Sequence, residues 1–251
     1  MSTSKISNLK TFRAFAFDVF GTLIDDETGV YNALIASPPV QSLSEDHPFR
    51  TSRSALLTEF FSISDDIQQK HPKARHLPLA YRAFSEKICP GRDAKTVENE
   101  AAKFAETPGT WSAFPDTVAG LQRLSKRYKL VPLTNMDNAT FEKVRNGPLA
   151  GAHVDAVYTA EMIGSYKPDL RNFDYLFSHL KSDFGVERDQ ILLVAQSLTH
   201  DHVVANKLKM RNCWVDRNTQ VGHGLEKLPD LDWVVHSITE LADMVDEAWR
   251  D

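Results

Sequence analysis

Short apolar runs alternate with longer amphipathic stretches over most of this chain, and no other feature of the sequence restricts its fold as strongly. The short runs have the length and composition of buried β-strands; they occupy residues 12–17, 130–133, 156–158, 191–195, 213–215 and 233–235. The amphipathic stretches carry apolar residues three and four apart, which is typical of helices; they occupy residues 117–128, 139–145, 173–184, 203–210 and 238–249. Helices that cross over between buried strands predict an α/β fold with a parallel sheet.

The stretch from about residue 26 to residue 109 interrupts this alternation. It shows no strand signal before Trp111, and its apolar residues have mostly helical spacing. An acidic run that ends at Gly29 and the Pro108-Gly109 pair read as linkers at its two edges. We therefore predict a helical domain of residues 26–109, inserted into a core that consists of residues 1–25 and 110–251.

Charge and cysteine content exclude several classes of function. Lys and Arg total 29 against 34 Asp and Glu, a net charge of −5, and the two signs are mixed along the chain. Without basic blocks, nucleic acid is not an expected partner. The two cysteines, Cys89 and Cys213, show no metal-binding spacing.

No signal peptide is evident, and no apolar run reaches the roughly 18 residues that a membrane span needs. We expect a cytoplasmic protein.

Polar residues follow four of the predicted strands. Because ligands of an open parallel sheet bind beyond the carboxyl ends of its strands, these positions form the candidate site. The first strand is followed by Asp18 and Thr22, with Phe20 and Gly21 between them, and the second by Thr134 and Asn135. Lys167 stands before a proline after the third strand, and Gln196, Ser197 and Asp201 come after the fourth.

In order and spacing, these segments resemble the four motifs of the haloacid dehalogenase superfamily. That family has a nucleophile in a DxxGT motif, a Ser or Thr after the second strand, a Lys before Pro, and an acidic motif after the fourth strand. The likeness covers nearly the whole chain and includes a helical cap after the first motif. It implies a Rossmann-like core with an inserted helical cap. It also implies that Asp18 attacks a substrate carbon or phosphorus and forms a covalent aspartyl intermediate.

The chemistry of such a nucleophile explains the other residues. A carboxylate in bulk water is well solvated and unreactive, so it needs a dry pocket and a nearby cation, which Lys167 would supply. Thr22 and Thr134 offer hydroxyls that orient a carboxylate or substrate oxygens. Asp201 would hold Lys167 or position the hydrolytic water. We predict catalytic roles for Asp18, Thr22, Lys167 and Asp201, and substrate-binding roles for Thr134 and for Asn135, which would donate to a leaving group or a substrate anion.

Two positions argue against phosphate-ester chemistry. The phosphatases of this superfamily carry a second Asp two residues after the nucleophile, as the general acid for the leaving alcohol. Here that residue is Phe20, which cannot donate a proton. The phosphatases also bind Mg²⁺ through the first Asp of motif four, where this chain has Gln196. We therefore predict no required metal and no other cofactor.

Halide leaves as a stable anion and needs no proton, and the superfamily's 2-haloacid dehalogenases likewise have an aromatic residue at the position of Phe20. That resemblance implies rear attack by Asp18 on the halogenated carbon, hydrolysis of the ester and release of a 2-hydroxy acid. The chain departs from these enzymes at Leu198, where they have Asn, and at Phe173, where they have Tyr. Their cap Arg that holds the halide corresponds to Arg50 or Arg53. We predict that Phe20, Trp111 and Phe173 line the apolar part of the substrate pocket.

Two alternatives stay open: a phosphatase of unusual type acting on a small phosphorylated metabolite, and a non-hydrolytic or binding descendant of the fold. His200 and His202 flank Asp201, but a spacing of two does not place them on one helix face, which disfavours a shared ion. The expected partner is a small-molecule substrate. A homodimer is the commonest arrangement among such enzymes, although nothing in the sequence tests it.

Overall fold

The computed structural model describes residues 6–72, 75–218 and 225–250. Its strands form one parallel sheet of six strands in the order β3-β2-β1-β4-β5-β6. The strands are β1 (Ala14–Phe17), β2 (Lys129–Thr134), β3 (Tyr158–Thr159), β4 (Ile191–Ala195), β5 (Arg211–Val215) and β6 (Trp233–Val235). The predicted α/β class, with a parallel Rossmann-like sheet, is confirmed.

Helices pack on both faces of this sheet and fill the region between β1 and β2. In chain order they are α1 (Asp26–Ile35), α2 (Pro38–Gln41), α3 (Pro48–Thr51), α4 (Arg53–Lys70), α5 (His76–Ile88), α6 (Ala94–Phe104), α7 (Thr117–Leu124), α8 (Asn138–Asn146), α9 (Ala160–Ile163), α10 (Leu170–Phe184), α11 (Val203–Lys207) and α12 (Ile238–Ala248). Short 3₁₀ segments at Asn8–Thr11, Thr107–Thr110 and Arg188–Gln190 and one π-helical turn at Leu198–His202 complete the described structure.

Strand β1 lies in the middle of the sheet because both of its faces are apolar. Phe15 and Phe17 point into one core cluster, and Ala14 and Ala16 point into the cluster on the opposite face. A strand that is buried on both faces can pair on both edges, and β1 pairs with β2 and β4. Its carboxyl end therefore brings Asp18 to the centre of the sheet edge.

The helical region between the first two strands has its own apolar core. Among the described residues 26–72 and 75–110 there are helices and no strands. Phe60 of α4 packs its ring 5.8 Å from that of Phe84 in α5 and 5.3 Å from that of Phe104 in α6. These aromatic contacts join the three longest helices of the region, which covers the carboxyl end of β1. We retain residues 26–109 as the proposed extent of the cap.

No helix in the described part of the chain combines the length and the apolar composition that crossing a lipid bilayer would require.

Candidate active site

The loop after β1 fixes the carboxylate of Asp18 through its own backbone and one hydroxyl. Gly21 has φ +75°, a left-handed conformation, and a Cβ there would lie 3.0 Å from Oε1 of Gln196, so both conformation and space favour glycine. This turn lets Thr22 donate its hydroxyl to Oδ2 of Asp18 at 2.8 Å. The same hydroxyl accepts from the backbone N–H of Gln196 at 2.8 Å, which joins the first motif to the end of β4.

Arg217, in the loop after β5, holds this loop in place. The guanidinium of Arg217 donates from Nε and Nη2 to the carbonyl oxygen of Thr22, at 3.1 and 2.8 Å. Its Nη1 lies 2.7 Å from Oδ1 of Asp116, and its carbon lies 4.1 Å from the ring centre of Phe114. A planar guanidinium fixed at three sides holds the carbonyl at a defined position. The backbone of Thr22 is thereby tied to the loop after β5.

Lys167 reaches the carboxylate of Asp18 from the loop after α9. Its Nζ lies 2.9 Å from Oδ1 of Asp18 and 2.8 Å from Oδ1 of Asp201. All three groups are buried: Lys167 is 2% exposed, Asp201 is wholly inaccessible and Asp18 is 7% exposed. The structure thus brings together Asp18, Thr22, Lys167 and Asp201, the four residues that the sequence predicts as catalytic.

The electrostatics of this trio favour a charged lysine between two carboxyls. Burial by itself lowers the pKa of Lys167, but the charges of Asp18 and Asp201 outweigh it and raise the pKa above that of an ordinary lysine. Burial raises the pKa of Asp201 to about 7, against the opposing effect of Lys167. Because the folded pKa of Asp201 exceeds the unfolded one, this group costs stability as the pH rises from about 4 to about 7.

Asn135 positions the lysine and leaves no amide hydrogen for a ligand. Its Oδ1 accepts from the backbone N–H of Lys167 at 2.7 Å, and its Nδ2 donates to the carbonyl of Lys167 at 3.0 Å. The second Nδ2 hydrogen goes to Oε1 of Gln68 in α4, at 2.9 Å. Both amide hydrogens are therefore engaged, so the predicted donation to a leaving group requires that one of these bonds break.

A cavity of about 360 Å³ opens between the sheet edge and the helical region. Its floor carries Asp18, Lys167 and Asp201, and its apolar wall is formed by six side chains of both regions: Phe20, Val30, Phe60, Phe61, Leu77 and Trp111. Lys167 is the one lysine or arginine among the described residues that line it. A cavity of this size suits a small molecule.

Phe20 and Trp111, which the sequence assigns to the apolar wall, both line the cavity and contact each other. Their ring centres are 5.1 Å apart at an interplanar angle of 44°. Trp111 lies flat against the backbone of Gly29 in α1, where a Cβ would come within 2.3 to 2.6 Å of three indole carbons. The position of the indole therefore depends on the absence of a side chain at Gly29.

Replacing Gly29 by alanine should displace Trp111 from the cavity wall. An alanine in a helix ordinarily stabilises it relative to glycine, but the clash with the indole should reverse the sign and destabilise the protein by about 1–3 kcal/mol. Gly120→Ala is the matched control, because its Cβ would lie 2.6 Å from Cγ2 of Ile238, distant from the cavity. Urea unfolding should show similar losses for both variants. A KM increase should follow only Gly29→Ala; equal KM values would contradict the role of the indole in the wall.

Three predicted binding residues lie elsewhere, and these expectations are corrected. Phe173 is completely buried in the core cluster on the other face of the sheet, where it continues the apolar stripe of α10 with Leu176 and Leu180. Arg50 donates to the carbonyl of Leu43 at 2.9 Å. Arg53 donates to the hydroxyl of Thr28 at 2.8 Å and stacks over Tyr31. None of the three lines the cavity, since local partners already hold each side chain.

Thr134 also differs from its predicted place. It ends β2, is 2% exposed and pairs in register with Thr159 of β3. The next residue, Asn135, lines the cavity, whereas Thr134 does not. Successive residues of a strand point to opposite sides, so adjacent positions at a strand end cannot be assigned to one site by sequence order alone.

Sequence reasoning missed a set of acidic residues in the cavity wall: Asp26, Glu27 and Asp65. Burial, reinforced by the neighbouring charges of Glu27 and Asp18, raises the pKa of Asp26 well above its usual range. This shift favours the neutral form of Asp26, in which its repulsion of the Asp18 carboxylate is smaller. Asp25, Asp26 and Glu27 follow the first motif directly, and this acidic run could have indicated the charge of the wall.

His200 and His202 point to different surroundings, as their spacing predicts. His200 lines the cavity, whereas His202 is wholly buried, with its ring nitrogens 3.0 Å from Oδ1 of Asn212 and 2.9 Å from the carbonyl of Ala195. Within residues 6–72, 75–218 and 225–250, no group of three or more His, Cys, Asp or Glu side chains is arranged to bind a metal ion.

Comparison with known proteins gives the family. A family model for haloacid dehalogenase-like hydrolases matches residues 12–194, which is more than half of the chain. This chain is a haloacid dehalogenase-like hydrolase. No curated protein matches its sequence. The resemblance inferred from the four motifs is thereby confirmed at the level of the family.

Solved structures share the fold of this hydrolase at low sequence identity. The L-2-haloacid dehalogenase PA0810 is 22% identical with a TM-score of 0.69, over 94% of this chain and 99% of that one. The L-2-haloacid dehalogenase from Xanthobacter autotrophicus, with chloropropionic acid covalently bound, is 15% identical with a TM-score of 0.70, over 94% and 98%. YfnB from Bacillus subtilis, bound to magnesium, is 16% identical with a TM-score of 0.69, over 94% and 99%.

The donor set in this hydrolase does not suit Mg²⁺. That ion requires near-octahedral oxygen ligands with carboxylate charge. Here Gln196 occupies the first position of motif four, and the carboxylate oxygens of Asp18 already accept from Lys167 and Thr22. The ammonium group of Lys167 lies between Asp18 and Asp201, where it balances their charge.

Proposed function

We propose that this hydrolase displaces halide from a small 2-haloacid through an aspartyl-ester intermediate on Asp18. One observation carries the proposal: the carboxylate of Asp18 is buried in a small cavity and held by Lys167 and Thr22, with no acid group at position 20. This arrangement suits displacement of a leaving group that needs no proton. A related fold with chloropropionic acid covalently bound supports the same chemistry.

The first step would form the ester and release halide. An oxygen of Asp18 attacks the carbon that bears the halogen from the rear, and the carbon–halogen electron pair leaves with the halide. Lys167 and Thr22 fix the direction of the carboxylate, so little reorganisation is needed before attack.

The second step would regenerate the enzyme. Water attacks the acyl carbon of Asp18, and the bond between the ester oxygen and that carbon breaks, so the substrate leaves as a 2-hydroxy acid. Because the water oxygen stays in the carboxylate, each turnover exchanges one oxygen of Asp18 with solvent. Lys167 stays close to the oxygens of Asp18 and would stabilise the negative charge that develops on them.

The test is halide release from 2-chloropropionate in the presence of EDTA. We expect turnover that added Mg²⁺ does not increase, and we expect no hydrolysis of p-nitrophenyl phosphate with or without Mg²⁺. Mass spectrometry of the peptide that contains Asp18, after turnover in H₂¹⁸O, should show label in that residue. Mg²⁺-dependent hydrolysis of the phosphate ester without halide release would favour the phosphatase alternative and overturn the proposal.

A further inference from the structure

Three polar side chains on the cavity wall lie in a row and take no part in the two steps proposed above. Oγ of Ser197 lies 3.1 Å from Nδ1 of His200 and also accepts from the backbone N–H of His200 at 3.1 Å. Nε2 of the same imidazole lies 3.7 Å from Oδ1 of Asp65 in α4. All three residues line the cavity that contains Asp18. We call them the Ser197–His200–Asp65 row.

The carboxylate of Asp65, 3.7 Å from Nε2, favours one tautomer of His200. The Ser197 hydroxyl already accepts the backbone N–H of His200, so its single hydrogen is available to donate to Nδ1. Nδ1 is then the acceptor and Nε2 carries the hydrogen, which faces the carboxylate of Asp65. The opposite tautomer would place the lone pair of Nε2 against that carboxylate. The row therefore has one consistent direction, from the Ser197 hydroxyl through the imidazole to Asp65.

We propose that the Ser197–His200–Asp65 row is the proton relay that activates the hydrolytic water in the second step. The proposal rests on the ester intermediate proposed above. The water oxygen bonds to the acyl carbon of Asp18 while a water proton passes to Oγ of Ser197, and the hydroxyl proton of Ser197 passes to Nδ1 of His200. When the tetrahedral intermediate collapses, the ester bond breaks and the substrate oxygen takes a proton back from the relay. The second proton of the water stays on the new carboxyl group of Asp18 and then leaves to solvent, which restores the carboxylate and accounts for the one proton released per halide.

Asp201 is poorly placed for this task. Its Oδ1 accepts from Lys167, and its Oδ2 is buried without a hydrogen-bond partner among the described residues, so bulk water has no access to it. Burial lowers the pKa of His200, which leaves the imidazole neutral and able to accept a proton at neutral pH. The charged groups that act on His200 are Asp65 and Asp18, which favour the imidazolium, and Lys167, which opposes it.

The position of the row also offers a route for protons. A second groove of about 290 Å³ shares Asp65, Lys167 and His200 with the active-site cavity. The imidazole thus lies between the cavity and this groove. Asp65 belongs to α4, so the relay is complete only when the helical region lies against the sheet edge. One turn further along α4, Gln68 contacts Asn135 and supports the same arrangement.

The first experiment measures the two steps separately in a single turnover of 2-chloropropionate, by rapid quench and intact-protein mass spectrometry. His200→Phe should form the ester within about 3-fold of the wild-type rate and hydrolyse it about 10²- to 10⁴-fold more slowly, the range for loss of a general base. Asp65→Asn should slow hydrolysis about 10-fold, the usual effect of a weaker orienting partner. Asp66→Asn, an exposed neighbour on the same helix, is the matched control and should match wild type. Ester hydrolysis at the wild-type rate in His200→Phe would overturn the relay.

The second experiment requires no substrate, so it tests the direction of the Ser197–His200–Asp65 row whether or not wild-type protein releases halide, and its failure is distinguishable from failure of the proposed function. Imidazole ¹⁵N NMR, with the His200 signals assigned by their loss in His200→Phe, should show the Nε2–H tautomer. Asp65→Asn should lower the pKa of His200 because it removes the facing negative charge, whereas Asp66→Asn should leave it unchanged. A dominant Nδ1–H tautomer, or a pKa that does not respond to Asp65→Asn, contradicts the relay.

Discussion

Asp18→Asn should abolish halide release, with a fall in kcat of at least about 10⁴-fold. An amide of the same shape cannot form the ester, because its nitrogen lone pair is delocalised and its oxygen carries no negative charge. The substitution keeps the volume of the side chain, so the cavity and its apolar wall should persist. Steady-state halide release gives the rate, and intact mass after incubation with 2-chloropropionate should show the ester on wild-type protein only.

Two further measurements keep this result interpretable. The far-ultraviolet circular dichroism and the urea midpoint of Asp18→Asn should show a folded protein. Binding of the substrate acid, measured by calorimetry, should survive within about 10-fold, because the nucleophile contributes mainly to the transition state. A folded variant that retained more than about one per cent of the wild-type kcat would place the nucleophile elsewhere.

Lys167→Met should cost both activity and stability. Removing the ammonium leaves Asp18 and Asp201 buried without a cation, and breaking a buried ion pair costs about 3–5 kcal/mol. Activity should fall by at least about 10²-fold, because Asp18 would lose the cation that orients its carboxylate and stabilises the charge that develops on its oxygens. Urea unfolding and halide release measure the two effects.

The destabilisation in Lys167→Met should depend on pH with a definite sign. The lysine is the charge that opposes the raised pKa of Asp201, so without it the folded variant at pH 8 must either bury uncompensated negative charge or take up a proton from solution. At pH 5 protonation is easier and the loss relative to wild type should shrink. Lys70→Met is the matched control: its exposed ion pair with Asp66 is worth about 0.5 kcal/mol or less and should show little difference between the two pH values. A loss that does not change with pH would contradict this electrostatic account.

The sheet could be predicted from sequence because its strands are buried on both faces. Five residues from Ile191 to Ala195 are completely buried, and the apolar run 191–195 coincides with β4. The run 156–158 predicted the edge strand less well, since β3 is Tyr158–Thr159, a two-residue strand that pairs with β2. The strand order could not be predicted from periodicity, which indicates what is buried and not which strand lies next to which.

The residues predicted as catalytic could be brought to one place from sequence because each lies in a loop or turn at the carboxyl edge of the sheet. The binding residues could not be. Phe173 was assigned to the pocket by analogy, yet it falls on the apolar stripe of α10 with Leu176 and Leu180, and helical spacing assigns all three to the core. Arg50 and Arg53 belong to a helical region whose packing angle no local pattern determines, so the direction of each guanidinium was open.

Contacts between distant segments were beyond sequence reasoning altogether. The bond from Asn135 to Gln68 joins residues 67 positions apart, and the approach of Asp65 to His200 depends on how α4 lies over the sheet edge. Either residue alone reads as a solvated polar position. Only the three-dimensional arrangement shows that α4 contacts the loops on both sides of the nucleophile.

Arg217, which donates to the carbonyl of Thr22, limits how this chain can be cut into functional fragments. Residues 12–194, the part that matches the family model, contain Asp18, Thr22 and Lys167 but end before Asp201 and Arg217. A fragment with those limits would keep Asp18 and Lys167 while losing Asp201, the second carboxyl that accepts from Lys167, and Arg217, which holds the carbonyl of Thr22. A fragment that keeps the whole site must therefore extend past β5. Circular permutation or domain insertion should leave intact the contact in which Arg217 donates to the carbonyl of Thr22.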